Sequence, residues 1–245
     1  MTGSILQDCR KSPTLVRVVP FFIFVGLTAC QGQFGQDSRY WFYLLKTVAG
    51  AALVWAIRPW VSEMRWRWSW EALAVGVAVF WLWVGLDGLY PQIDTVLKKL
   101  LSPAAKYLGL AAWCSASASN PIPWNPHTRF DPAVAWGFVI VRLLGSSLVV
   151  PPLEEVFYRS FLYRYIARPA FERLPLNYFA WAPFLITAGI FGFSHYEWLP
   201  GILCGILYQG LVIRKNRLGD AMIAHAITNF LLGSWIIWKG AWHFW

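Results

Sequence analysis

Val149-Val150-Pro151-Pro152-Leu153-Glu154-Glu155-Val156-Phe157-Tyr158-Arg159 sets two adjacent carboxylates and an arginine in a stretch otherwise apolar enough for a lipid bilayer. Apolar runs flank it, Ala133 to Val150 on one side and Leu153 to Ile166 on the other. Ionisable groups inside such runs are expensive and usually functional. The bland alternative is that proline followed by acids simply opens a helix, where the missing amide costs nothing and the acids meet the favourable end of the macrodipole. Spacing separates the two acids. Glu155 and Arg159 are four apart and share a helical face, whereas Glu154 is turned about 100° away. Arg159 is expected to hold Glu155 as an anchoring charge pair, leaving Glu154 directed into a cavity as a carboxylate able to activate water.

Composition sets the surroundings. Of 245 residues 58% are hydrophobic and 13% charged, 17 are tryptophan, and the mean hydropathy is +0.46, outside the range of an ordinary soluble domain. The formal charge of +9 does not indicate nucleic acid, because the basic residues fall in short clusters between apolar runs and form no continuous patch. Cys9, Cys30, Cys114 and Cys204 lack paired metal-ligand spacing and read as free thiols.

A membrane span needs about 20 apolar residues. Candidate spans are Leu15 to Cys30, Tyr40 to Ile57, Ser69 to Leu89, Ala133 to Val150, Leu153 to Ile166, Leu176 to His195, Leu199 to Ile213 and Ala221 to Trp238. Trp60, Trp66, Trp68, Trp70, Trp235, Trp238, Trp242 and Trp245 gather at the ends of runs, as interfacial rings do. The fold class is all-α: residues 1–245 form a single integral membrane domain, a polytopic transmembrane bundle of about seven to eight helices. Leu27-Thr28-Ala29-Cys30 resembles a lipoprotein signal ending, but a retained first span is preferred because further spans follow at once. Residues 90–132 read as a polar connection with an amphipathic piece from Ile93 to Leu110 and a loop from Ser115 to Pro126. The clusters Arg10 and Lys11, Arg58 to Arg67, Arg164 to Arg173, and Arg214 to Arg217 are all expected on the cytoplasmic side, which requires Ala133 to Ile166 to cross once, bent or interrupted at the prolines. Seven crossings satisfy the charges and eight helices satisfy the hydropathy.

Two further groups follow. Phe191-Gly192-Phe193-Ser194-His195 closes an apolar run, and His225-Ala226-Ile227-Thr228-Asn229 places a histidine and a carboxamide four apart on one helix face. His225 and Asn229 could equally be interhelical hydrogen-bonding residues, and His195 an interfacial one. The joint occurrence of a carboxylate, two histidines and a carboxamide across three helices supplies a base, a proton-handling partner and oxyanion donors. If Leu199 to Ile213 crosses fully, His195 and His225 begin near opposite faces, and only tilt, a re-entrant turn at Trp198 to Gly201 or a deep site brings them together.

These motifs resemble the CPBP family of intramembrane glutamic endopeptidases, which includes the CAAX prenyl proteases and Abi proteins. Its two glutamates, three residues and an arginine are met by Glu154, Glu155 and Arg159; its Phe-three-residues-His by Phe191 and His195; its His-three-residues-Asn by His225 and Asn229. The match covers roughly Pro151 to Phe230, within a protease-like core of about 132–240, and leaves the tryptophan-rich front half outside. Val150-Pro151-Pro152-Leu153-Glu154-Glu155 and Trp198-Leu199-Pro200 resemble more particularly the exosortase-associated bacterial branch. The resemblance implies a bacterial inner-membrane endopeptidase that uses no metal or other cofactor and acts on membrane-associated protein or peptide substrates. In it Glu154, assisted by His195, activates water against a peptide carbonyl, while His225 and Asn229 stabilise the oxyanion.

Rival chemistries leave different marks. Two histidines and a glutamate are a possible zinc set, but the His-Glu-two-residues-His signature is missing. A transporter or proton relay would also use buried Glu and His, with Lys46 and Arg142 as further charges, yet the chain shows no inverted repeat. A non-catalytic scaffold or immunity factor of the same fold is the third class. Every motif residue is present, which argues against a decayed site.

Overall fold

The two apolar runs on either side of Pro151-Pro152 form one continuous helix, Pro132–Ala167, 36 residues long. The computed structural model describes residues 12–93, 95–96, 98–99 and 123–245. Among the described residues are seven long helices and no strand: α1 (Leu15–Ala29), α2 (Ser38–Ile57), α3 (Trp70–Gly85), α4 (Pro132–Ala167), α5 (Trp181–Phe193), α6 (Trp198–Lys215) and α7 (Leu218–Lys239). α2, α4 and α7 are long and apolar enough to cross a membrane, and α1, α3 and α5 are shorter apolar helices. Most of the Ile93 to Leu110 piece and of the Ser115 to Pro126 loop lies outside the described residues, as do Cys9 and Cys114. Cys30 and Cys204 carry free thiols.

The diproline neither opens nor interrupts α4, and the reason is local. Interior prolines lack an amide and crowd the preceding turn. Here the turn ahead of them is widened into a π-helical stretch, Gly145–Val149, in which the Val150 N–H reaches back five residues to the Gly145 carbonyl. A second π stretch, Val156–Leu162, follows the glutamates. Asp131 caps the start of α4, its carboxylate accepting from the Ala133 and Val134 N–H groups, with Pro132 at the first helical position.

The helices run alternately between two ends of the bundle. At one end Arg17 and Arg164 converge on Glu63, Lys215 pairs with Glu71 at 3.0 Å, and Arg217 pairs with Asp220 at 2.9 Å. At the other, the Tyr40 hydroxyl donates to the Asn125 carbonyl, the Trp198 indole donates to the Pro91 carbonyl, and Arg129 meets Asp37 at 2.8 Å. Trp66, Trp68 and Trp70 are exposed at the arginine-rich end. Trp245 instead turns inward and packs its ring against Trp124 at 5.8 Å.

Small residues set the closest helix approaches. α5 and α6 pack antiparallel with Gly192 against Gly201 and Ala188 against Gly205; a Cβ on Gly192 would lie 2.6 Å from the Ile202 amide nitrogen. With little hydrophobic drive between helices in lipid, such backbone contact supplies the dispersion that holds the pair. α3 crosses α7 at Gly76, where the Thr228 hydroxyl reaches the Gly76 carbonyl at 2.8 Å.

Glu63, in the connection from α2 to α3, locks the arginine-rich end. Arg17 approaches it at 2.7 Å and Arg164 at 3.1 Å, and the Ser160 hydroxyl bonds to the same oxygen. Burial by itself would raise this carboxyl, but the Arg17 charge and the hydrogen bonds from Ser160 and Arg17 outweigh it and hold the group below its ordinary value of 4.5. A lowered folded value stabilises the folded state above the unfolded value and loses that contribution as pH falls through the folded one. The thermal midpoint of detergent-solubilised protein should therefore drop as pH falls below about 4.5, and Glu63→Gln should flatten that part of the profile. An unchanged acid limb in Glu63→Gln would assign the drop to other carboxylates.

Candidate active site

α4 presents Arg142, Ser146, Val150 and Glu154, each four residues from the last, to a cavity of about 230 Å³. The same cavity is lined by His195 from the α5–α6 connection, Tyr208 from α6, and His225 and Asn229 from α7. The two histidines thus share one cavity, and Phe191 contacts both: its ring centroid lies 4.6 Å from His195 and 6.3 Å from His225. No re-entrant turn is needed, since Trp198 to Gly201 is the first turn of α6.

The two glutamates occupy different surroundings. Glu155 is fully buried, 3.2 Å from Arg159 Nε and 3.0 Å from His225 Nδ1. Arg159 is also fully buried, and its guanidinium lies 4.5 Å from the Phe191 ring centroid. The pairing of Glu155 with Arg159 read from their spacing is present, and His225 joins it. Glu154 keeps 15% of its side chain exposed, and its Oε2 lies 3.9 Å from His225 Nε2 with no hydrogen-bond partner among the described residues. His225 therefore stands between the carboxylates, one ring nitrogen toward each.

The other donors are held by backbone. His195 Nδ1 lies 2.7 Å from the Phe191 carbonyl, which can only accept, so Nδ1 carries the proton and Nε2 is left for the cavity. Ser194 supports this ring, accepting from the Tyr158 hydroxyl at 3.1 Å and lying 3.3 Å from His195 Nδ1. Asn229 Nδ2 donates to the Ser146 carbonyl at 2.8 Å. That carbonyl is available because the residue five ahead of it in the π turn is Pro151, which has no N–H. The diproline thus creates the acceptor that positions Asn229, and one Asn229 N–H remains for other use. Thr228, beside them, accepts from the Tyr208 hydroxyl at 2.7 Å.

Spacing could not show several of these partners. Ser146 contributes through its backbone, and Ser194 and Tyr158 act through His195; none of them carries a sequence signal of its own. Arg142 does, since it stands three four-residue steps before Glu154. Lys46, named with Arg142 as a charge within a span, is buried and bonds to the Thr28 hydroxyl at 3.1 Å; it does not line the cavity but lies 4.5 Å from the ring centroid of Tyr43, which does. Among the described residues no three His, Cys, Asp or Glu side chains converge closely enough to hold a metal ion.

Residues 136–231, which run from the first turns of α4 past Asn229, match the family model described as type II CAAX prenyl endopeptidase, Rce1-like. No curated protein and no solved structure matches the chain. The matched family is one of proteases, and the matched span, which is less than half of the chain, contains every motif residue named above and lies among helices long and apolar enough to cross a membrane.

Proposed function

We propose that the chain is an intramembrane glutamic endopeptidase. The observation that carries this reading is the contrast between Glu155, fully buried and ion-paired with Arg159, and Glu154, beside it, which lines the cavity with 15% of its side chain exposed. A water held between Glu154 and His195 Nε2 attacks the peptide carbonyl carbon and gives its proton to Glu154. The tetrahedral intermediate collapses, the C–N bond breaks, and that proton passes to the leaving amine. The remaining Asn229 N–H and His225 Nε2 face the developing oxyanion; for His225 to donate there while Nδ1 bonds Glu155, both ring nitrogens carry protons. Membrane-protein fragments should accumulate in cells carrying the wild-type chain and be absent with Glu154→Ala; identical fragment patterns would reject the reading. Chelators should leave the cleavage intact, and inhibition reversed by added zinc would replace the glutamate mechanism with a metal one.

The same reading gives seven crossings of a bacterial inner membrane. The end holding Arg17, Arg58, Arg65, Arg67, Arg164, Arg168, Arg173, Arg214, Lys215 and Arg217 is cytoplasmic by charge. The cavity is lined by Tyr196, Glu197, Phe244 and Trp245 from the opposite end, so its mouth faces away from the cytoplasm. In a cysteine-free background, Gln36→Cys should react with an impermeant maleimide in intact cells and Ser62→Cys only after permeabilisation. The reverse pattern would invert the orientation.

A further inference from the structure

Arg142 is the cation among the arginine and lysine side chains that lines the cavity, and the proposed chemistry does not use it. The other cations within the bundle are engaged: Arg159 with Glu155, Arg17 and Arg164 with Glu63, Lys46 with Thr28. The Arg142 guanidinium makes no hydrogen bond or ion pair among the described residues. It is instead boxed by aromatic faces, 4.4 Å from the Trp124 ring centroid, 4.7 Å from Tyr43 and 5.4 Å from Trp245. Those faces offset part of the cost of holding a cation there and fix the plane of its fork, but they accept none of its five N–H bonds in the way an oxygen would. Two acids line the same cavity, Glu154 and Glu197. Neither is within ion-pair distance of Arg142, and Glu197 accepts from the Tyr90 hydroxyl.

We propose that Arg142 is an anion-binding subsite of this cavity and takes a carboxylate of the bound peptide, either its C-terminus or an Asp or Glu side chain. The proposal rests on the endopeptidase reading only for the peptide nature of the ligand. A rigid, always-charged fork with open donors matches a carboxylate in two parallel hydrogen bonds. Arg142 and Glu154 are twelve residues apart on one face of α4, about 18 Å along the axis, the reach of about five extended residues. One peptide strand can therefore touch both.

The test measures binding, so it stands or falls independently of turnover. Full-length protein carrying Glu154→Gln is titrated in detergent with N-dansyl octapeptides of leucine and alanine, read by energy transfer from the tryptophans. One peptide ends in a free carboxylate, one in an amide, and one in an amide with a glutamate as its last residue. We expect at least one anionic peptide to bind about tenfold or more tightly than the neutral one, the two anionic arms showing which source is read. That preference should vanish in Arg142→Gln and persist in part in Arg142→Lys. Equal binding of all three peptides, or a preference that survives Arg142→Gln, overturns the subsite. If Arg142→Gln does not fold, Arg142→Lys is titrated instead: a weakened preference upholds Arg142, and an undiminished one overturns the subsite. Displacement of the anionic peptide by phosphatidylglycerol but not by phosphatidylcholine would make the ligand a lipid phosphate and overturn the peptide assignment.

Discussion

Glu154→Gln should abolish turnover while leaving the protein folded. Glutamine keeps the size and hydrogen-bonding capacity of the side chain but takes no proton, so the loss should reach about a hundredfold to ten-thousandfold, the usual contribution of a positioned general base. Oε2 of Glu154 has no hydrogen-bond partner to lose, and the side chain forms no part of the Arg159 pair. Glu154→Ala should accordingly leave the thermal midpoint of detergent-solubilised protein unchanged or raise it, as happens when an unpaired functional group is removed. The check is cleavage of any substrate identified from fragment comparison, together with melting of the same preparations. Near-normal cleavage by Glu154→Gln would sink the assignment of this residue as base.

The second large effect falls on folding. Glu155 and Arg159 are both fully buried, and removing either leaves the other charge uncompensated, a loss of about 3 to 5 kcal/mol. For a chain of this size that corresponds to a fall of roughly 10 °C in the thermal midpoint. Glu155→Ala carries an additional loss, because His225 Nδ1 also bonds to that carboxylate and its ring orientation would be released. The two variants should therefore differ: both melt early, but in whatever folded fraction remains, Glu155→Ala should impair cleavage more than Arg159→Ala. A stable, inactive Glu155→Ala beside an early-melting Glu154→Ala would show that the two acids have exchanged roles.

Much of this architecture could be read before any coordinates. Hydrophobicity is local and additive, so long apolar runs and the tryptophans near them mark membrane helices one segment at a time. The Glu155–Arg159 pair was legible for the same reason, since both partners lie on one helix and a four-residue step brings their side chains together. The basic clusters led to the expectation that Ala133 to Ile166 crosses once, and the stretch forms one continuous helix, α4. The boundary at Pro151 was less legible, because proline is a strong local breaker and the π turn that absorbs it leaves no periodic trace in hydropathy.

The sequence by itself determined the all-helical class, the segments available as spans, and the residues able to carry hydrolytic chemistry, because each depends on side-chain type and short-range spacing. Only the tertiary structure decided which partner each polar group meets. It set His225 between Glu155 and Glu154, gave Asn229 the carbonyl of Ser146, hung His195 on the Phe191 carbonyl, and left Arg142 boxed by rings at the cavity. The contact between Asn229 and Ser146 alone joins residues 83 positions apart in the chain. They depend on how closely α3, α5, α6 and α7 approach one another at Gly76, Gly192 and Gly201, a packing outcome that no single segment encodes.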